Sequence, residues 1–331
     1  MKTMQFMHAA DSALIQAMAE DERIVVFGED IQAIRHELAI QFGKSRVFNA
    51  PISESAFIGA GVAAAMAGLR PVVEVYLVDF LSVAMDAIAK LNTFSGGTWQ
   101  APIVIRTTCG GGYGDGGQHA QSLWGWLAHI PDLVVTVPST PADAGGLMLA
   151  ACQHDHPVIF LEHVLLSKNW LDFLGGGSRD TVAFDTPAEG AVGSVPRRWV
   201  PIPFGQANYL RHGGDISIVS LGVSVHRAAQ AAKQLAAEGM EVDVIDLRTV
   251  APLDADTIIE SVSRTGKLLV VDEDYRGFGL TGELAAVVLE NGLQCKYARV
   301  ATEGTLPYNR QREVEALPNF SRILQAARNL F

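Results

Sequence analysis

Residues 51–80 read PISESAFIGAGVAAAMAGLRPVVEVYLVDF, and two different periods meet inside this stretch. A helical pattern begins near Ser53 and runs through the small-residue tract IGAGVAAAMAGL. Pro71–Leu77 (PVVEVYL) then gives a β-branched run opened by proline, which is a strand signal. The same alternation extends in both directions. Upstream, a helix near His8–Glu20 leads to the apolar run Ile24–Phe27, which stops at Gly28-Glu29-Asp30. Downstream come a helix through Asp79–Leu91, the run IVIRTT, a Gly-rich loop, LVVTV, a helix over Thr140–Ala151, and VIFLE. Apolar strands separated by helices specify a mostly parallel sheet covered on both faces.

Between Leu174 and Pro203 the texture changes to glycine, proline and charge without period, and the alternation then restarts. ISIVSLG, a helix through Val225–Glu238, VDVIDLR, a helix over Asp254–Thr265, KLLVVDED and a helix through Gly282–Glu290 form a second, smaller unit. The expected fold is α/β with two domains, each a mostly parallel sheet flanked by helices: residues 1–174, a linker at 175–203, and residues 204–331.

Composition narrows the function classes. A chain of 331 residues, 49% hydrophobic and 18% charged, is long enough for two cores without staples. The formal net charge of −11 argues against nucleic acid or an anionic membrane as partner, because both require basic patches. Cys109, Cys152 and Cys295 are odd in number and form no CxxC pair, so no disulfide framework follows and a reduced, cytoplasmic setting is expected. The N-terminus lacks the apolar core of a signal peptide, and no apolar stretch reaches membrane-spanning length.

Two glycine motifs are decoys. Gly112-Tyr-Gly114-Asp-Gly116-Gly117 satisfies GxGxxG, but Gln118-His119 follows it where a packed helix should begin, and no acidic residue sits at the distance a dinucleotide ribose requires. Gly114-Asp115-Gly116 matches the start of the magnesium motif of thiamine-diphosphate enzymes, yet no asparagine lies between Asn92 and Asn169. A hard divalent ion carrying diphosphate needs several oxygen ligands. Asp115 therefore reads as a loop residue.

The block at 51–80, with GGGYGDGGQHAQSLWGWLAHIPDLVVTVPSTPADAGGLMLAA, GGDISIVSLGVSVHRA, VDVIDLRTVAPLD and GKLLVVDED, resembles the beta subunits of the decarboxylating component of 2-oxoacid dehydrogenases, of the pyruvate, branched-chain and acetoin type. The resemblance covers nearly the whole chain and implies a pyrimidine-binding domain for thiamine diphosphate followed by a transketolase C-terminal-like domain. It also implies an alpha subunit in an α2β2 heterotetramer, which brings the magnesium and diphosphate half of the site. The implied reaction is oxidative decarboxylation of a 2-oxo acid and reductive acylation of a lipoyl group on an acyltransferase core.

The resemblance places the cofactor-activating glutamate at Glu54, an aromatic against the pyrimidine at Phe80, and a substrate-side histidine at His119. A carboxylate bonded to the pyrimidine N1′ favours the imino tautomer whose nitrogen takes the thiazolium proton. Glu54 also suits a plain helix start, with Ser53 as cap and the carboxylate at the positive end of the dipole. Phe80 competes with a core aromatic, and His119 with a solvated loop histidine. An imidazole at that place holds a substrate carboxylate or supplies a proton. A structural potassium ion, held by backbone carbonyls, falls on Ile103, Ala151, Cys152, His154 and His156, of which the last three differ from the usual residue types. The helix after Asp86 (DAIAKLNTFSGG) is shorter than the family's, and the 168–203 segment is longer. Two other readings stand beside this one: the pyrimidine-binding half of a split transketolase, and a non-catalytic scaffold subunit.

Overall fold

A computed structural model describes residues 1–91, 98–167 and 184–331. The end of the segment after Asp86 and the first part of the linker lie outside the described residues. Seven strands form the first domain's main sheet, in the order β12-β6-β7-β5-β4-β2-β3. They are β2 (Ile24–Gly28), β3 (Val47–Asn49), β4 (Arg70–Leu77), β5 (Val104–Cys109), β6 (Val134–Thr136), β7 (Val158–His163) and β12 (Thr249–Ala251). All pairings are parallel except that of β12 on β6. The second sheet runs β14-β13-β10-β11-β9, from β9 (Asn208–Arg211), β10 (Ile216–Ser220), β11 (Val242–Asp246), β13 (Lys267–Tyr275) and β14 (Lys296–Thr302). Only its edge strand β9 is antiparallel.

The expected helix and strand from residues 51–80 appear as Glu54–Met66 and β4. The expected helix over Asp79–Leu91 is instead a 3₁₀ segment, Val78–Ala84, followed by a short α-helix, Met85–Lys90. The described end of the linker is built onto the first domain. Its β8 (Val192–Val195) pairs antiparallel with β1 (Lys2–Gln5). Trp199 is buried over the Phe6–Glu20 and Pro141–Gln153 helices, its indole N–H donating to Ser12 Oγ at 3.1 Å. A Cβ at Gly145 would fall 2.2 Å from its ring, so the glycine makes room for it.

Charge is buried in the first sheet. β4, β5 and β7 present Glu74, Arg106 and Glu162, all buried, toward Asp11 and Arg35. Arg106 binds Glu162 at 2.7 Å and Asp11 at 2.6 Å, while Arg35 binds Glu74 at 2.6 Å. Buried ions are tolerated when each is paired and hydrogen-bonded. The domains also share a core: one apolar cluster runs from Ile105 and Ile159 through Trp124 and Leu127 to Leu247 and Leu284.

Candidate functional site

Ligands in open α/β sheets bind at the carboxyl ends of the strands, where successive connections leave in opposite directions. Here the chain leaves β2 toward β3 and β4 toward β5, on opposite sides in the strand order. The candidate residues all follow those strands: Glu54 after β3, Phe80 after β4 and His119 after β5.

Glu54 opens the Glu54–Met66 helix and is half-buried. Ser53 is the N-cap residue, but its side chain makes no capping hydrogen bond, contrary to expectation. The Glu54 carboxylate has no hydrogen bond or ion pair among the described residues, so its oxygens can accept. Burial first, then the charges of Asp30 and Glu54, push the carboxyl of Glu29 above its ordinary range, so the three acids lie near one another. Ser55 Oγ donates to the carbonyl of Val83, tying the start of this helix to the 3₁₀ segment that carries Phe80.

Phe80 is half-buried and meets the His119 ring edge-on, with centroids 5.6 Å apart. His119 Nδ1 lies 2.9 Å from Asp115 Oδ2. Asp115 is thus turned toward the histidine, a contact the reading of it as a plain loop residue did not include. A second chain of bonds lies behind Phe80. Tyr275 donates to Gln121 Oε1 at 2.9 Å, and Gln121 Nε2 donates to Asp79 Oδ1 at 2.7 Å. Asp79 Oδ2 is buried without a partner, and burial pushes its carboxyl above the ordinary range despite the bond from Gln121 and the nearby His119. Asp79 stands beside Phe80 in sequence, but only the fold brings Gln121 and Tyr275 to it.

The glycine loop is fixed by the second domain. Gly111 N donates to Glu273 Oε1 at 2.8 Å, and Gly114 N donates to Glu313 Oε2 at 2.9 Å. Tyr308 donates to Gln118 and packs on Gly116, where a Cβ would fall 2.6 Å from its ring. Burial alone would raise the Glu273 carboxyl, but His163 and Arg227 outweigh it and hold it at about 2.

Of the carbonyls on which the potassium expectation falls, those of Ile103, Ala151, Cys152 and His154 have partners within the protein. The guanidinium of Arg70 takes the carbonyls of Cys152 at 3.1 Å, Gln153 at 2.9 Å and His154 at 3.1 Å, and binds Asp155 at 2.8 Å. The Ile103 carbonyl accepts from Val158 N at 2.9 Å, and that of Ala151 from His154 N at 3.3 Å. A fixed cation thus reaches the Cys152 and His154 carbonyls of this cluster. No group of three or more His, Cys, Asp or Glu suited to a metal occurs among the described residues. Burial first, and nearby carboxylates after it, push the Cys109 thiol well up, and burial pushes that of Cys152 to about 12, which disfavours a thiolate at either. A separate cavity of 870 Å³ lies at the domain junction, lined by Trp126, His129, Pro252, Asp274, Phe278 and Glu283 among others. None of Glu54, Phe80 and His119 lines it.

Residues 2–168 match the transketolase pyrimidine binding domain family, and residues 205–323 match the transketolase C-terminal domain family. The beta subunit of the acetoin:2,6-dichlorophenolindophenol oxidoreductase of Cupriavidus necator is 36% identical, over 97% of this chain and 95% of its own. The pyruvate dehydrogenase E1 component subunit beta of Bacillus subtilis is 34% identical over 100% and 99% of the two chains. The 2-oxoisovalerate dehydrogenase subunit beta of the same organism is 37% identical over 88% and 86%. Among solved structures, a split gene transketolase described as an inactive beta4 tetramer superposes with a TM-score of 0.80, covering 99% and 98% of the chains. At 21% identity that likeness shows the shared two-domain fold. The chain belongs to the transketolase-type family of beta subunits of the E1 component of 2-oxoacid dehydrogenases, and is an oxidoreductase subunit built from a pyrimidine-binding and a transketolase C-terminal domain.

Proposed function

We propose that this chain supplies the pyrimidine half of a thiamine-diphosphate site in a cytoplasmic 2-oxoacid dehydrogenase, completed by an alpha subunit in an α2β2 heterotetramer. The observation that carries the reading is a Glu54 carboxylate without a partner among the described residues, at the start of a helix that Ser55 ties to the 3₁₀ segment carrying Phe80, whose ring meets His119. Thiamine diphosphate, when bound, supplies a carbanion equivalent that attacks the 2-oxo carbon and holds the electrons released with carbon dioxide.

The protein's share is binding and electrostatics. Glu54 accepts a hydrogen bond from the pyrimidine ring, and a site covered by the partner strengthens that bond by excluding water. Phe80 gives the ring an apolar surface. His119 holds the substrate carboxylate or exchanges a proton with the reacting group. Asp115 is committed to His119, so the magnesium and diphosphate ligands come from the alpha subunit. A lipoyl disulfide on an acyltransferase core would then take up the two electrons together with the acyl group, its S–S bond opening to one thioester and one thiol.

The experiment is a co-expressed alpha–beta complex assayed against pyruvate, branched-chain 2-oxo acids, acetoin and sugar-phosphate donors. Glu54→Gln should lower kcat by about a hundredfold or more while the complex still assembles. Full turnover by that variant would favour a scaffold role. Turnover of sugar phosphates alone would favour a split transketolase.

A further inference from the structure

We propose that Asp115 is a positioning residue that fixes the His119 imidazole in one tautomer, Nδ1 protonated and Nε2 available; its catalytic consequence rests on the role of His119 given above. The contact is 2.9 Å between Nδ1 and Asp115 Oδ2. An ionised carboxylate only accepts hydrogen bonds, so Nδ1 must donate. The neutral ring then carries its lone pair on Nε2, which has no hydrogen-bond partner among the described residues. When Nε2 takes a proton, the imidazolium keeps Asp115 as its counter-charge. When Nε2 gives the proton up, the ring returns to the same tautomer without rotating.

The loop is built to hold this pair. Asp115 sits between Gly114 and Gly116, both at positive φ (80° and 75°), a conformation that turns the chain back on itself. His119 N donates to the Gly116 carbonyl at 3.1 Å, and Tyr113 donates to the His119 carbonyl. Glu313 and Tyr308 hold Gly114 and Gly116 from the second domain. Aspartate and histidine are therefore set on two sides of a closed turn. Phe80 contacts the imidazole edge-on, and the Asp79 carboxylate, which the His119 charge stabilises, is the acid that faces it from the 3₁₀ segment. Asp115 and His119 are each about one-third exposed, at 31% and 32%, so the pair is reachable by substrate and is not a sealed core contact.

The test reads the tautomer apart from turnover. Histidine-labelled ¹⁵N chain, with His119 assigned by its loss in His119→Gln, should show the Nδ1–H form in the parent and in Asp115→Glu. Asp115→Asn should shift it toward the Nε2–H form, because an amide can donate to Nδ1, and Asp115→Ala should give a mixture. In the complex with the alpha subunit, Asp115→Ala should lower kcat by about tenfold or more with KM within about twofold, and Asp115→Glu should restore most of it. An unchanged His119 tautomer in Asp115→Ala would overturn the proposal. So would a parent-like kcat in Asp115→Ala when His119→Gln is impaired. If both variants turned over like the parent, the catalytic role of His119 would fall instead, and the ¹⁵N spectra would still decide whether Asp115 sets the ring.

Discussion

Replacing Arg106 by methionine tests whether the buried ions of the first sheet act as one unit. Its side chain is 0% exposed and donates three hydrogen bonds, two to Glu162 at 2.7 and 2.9 Å and one to Asp11 at 2.6 Å. Methionine fills similar space and removes the charge. Arg35 alone would then face Asp11, Glu74 and Glu162, to which it lies at 3.3, 2.6 and 3.6 Å. Removing one partner from a buried ion cluster costs about 3–5 kcal/mol, because the remaining charge is uncompensated.

The pH dependence follows from linkage. In the parent, burial would raise the Asp11 carboxyl, but Arg35 and Arg106 outweigh it and hold it below its ordinary range. A depressed carboxyl stabilises the fold above its unfolded value, and that contribution is lost only as pH falls through the depressed folded value. The parent is therefore unaffected by this group between about pH 5 and pH 8. In the variant, burial wins, carboxyls in the cluster rise, and stability is lost as pH rises through their folded values. Urea unfolding of parent and variant, followed by tryptophan fluorescence, should show a gap of about 3–5 kcal/mol at about pH 8 that narrows toward about pH 5. Adding Glu162→Gln to the variant should recover part of the loss at the higher pH. A variant within about 1 kcal/mol of the parent, or a gap of equal size at both pH values, would refute the reasoning.

Other outcomes follow from the same structure. Gly145→Ala drives a methyl into the Trp199 ring and should destabilise the chain by about 1–3 kcal/mol, read as a lower denaturation midpoint. Burial, with Asp274 beside it, pushes Asp272 up to about 8, so its favourable neutral form is lost as pH rises through that value. Asp272→Asn should therefore flatten the loss of stability between about pH 4 and pH 8, in melts followed by circular dichroism. Because Arg70 already serves the carbonyls of Cys152 and His154, the parent should melt at the same temperature in KCl and NaCl of equal ionic strength. A rise specific to KCl would show that the cluster admits the ion. Arg70→Met should lower stability by about 2 kcal/mol by leaving the buried Cys152 carbonyl unpaired.

The parallel architecture was legible because its strands are continuous apolar runs, and β2, β4, β5, β6, β7, β10, β11 and β13 all fall on such runs. Strands β1, β3, β8, β9, β12 and β14 escaped notice. They are short, exposed or mixed in polarity, and β1, β8 and β12 exist only through partners distant in sequence. The blocks that contain Glu54, Phe80 and His119 mark them in the sequence, and the fold sets them after β3, β4 and β5. The side chains that support them were not legible, since a hydrogen bond from Tyr275 to Gln121 leaves no trace in either local period. Asp115 was read against a metal motif, and its tie to His119 across a non-helical turn has no spacing rule to reveal it. The charges of β4, β5 and β7 stand in apolar runs, and only the strand order shows which carboxylate meets which guanidinium.

The loop that carries His119 takes its shape from Glu273, Tyr308 and Glu313, which belong to the other domain. The two halves are consequently poor building blocks for chimeras. A pyrimidine-binding domain grafted onto a relative's C-terminal domain would inherit its own histidine but borrow that histidine's placement from the donor. Exchange of parts between such subunits should therefore succeed only when the loop travels together with the acids and the tyrosine that hold it.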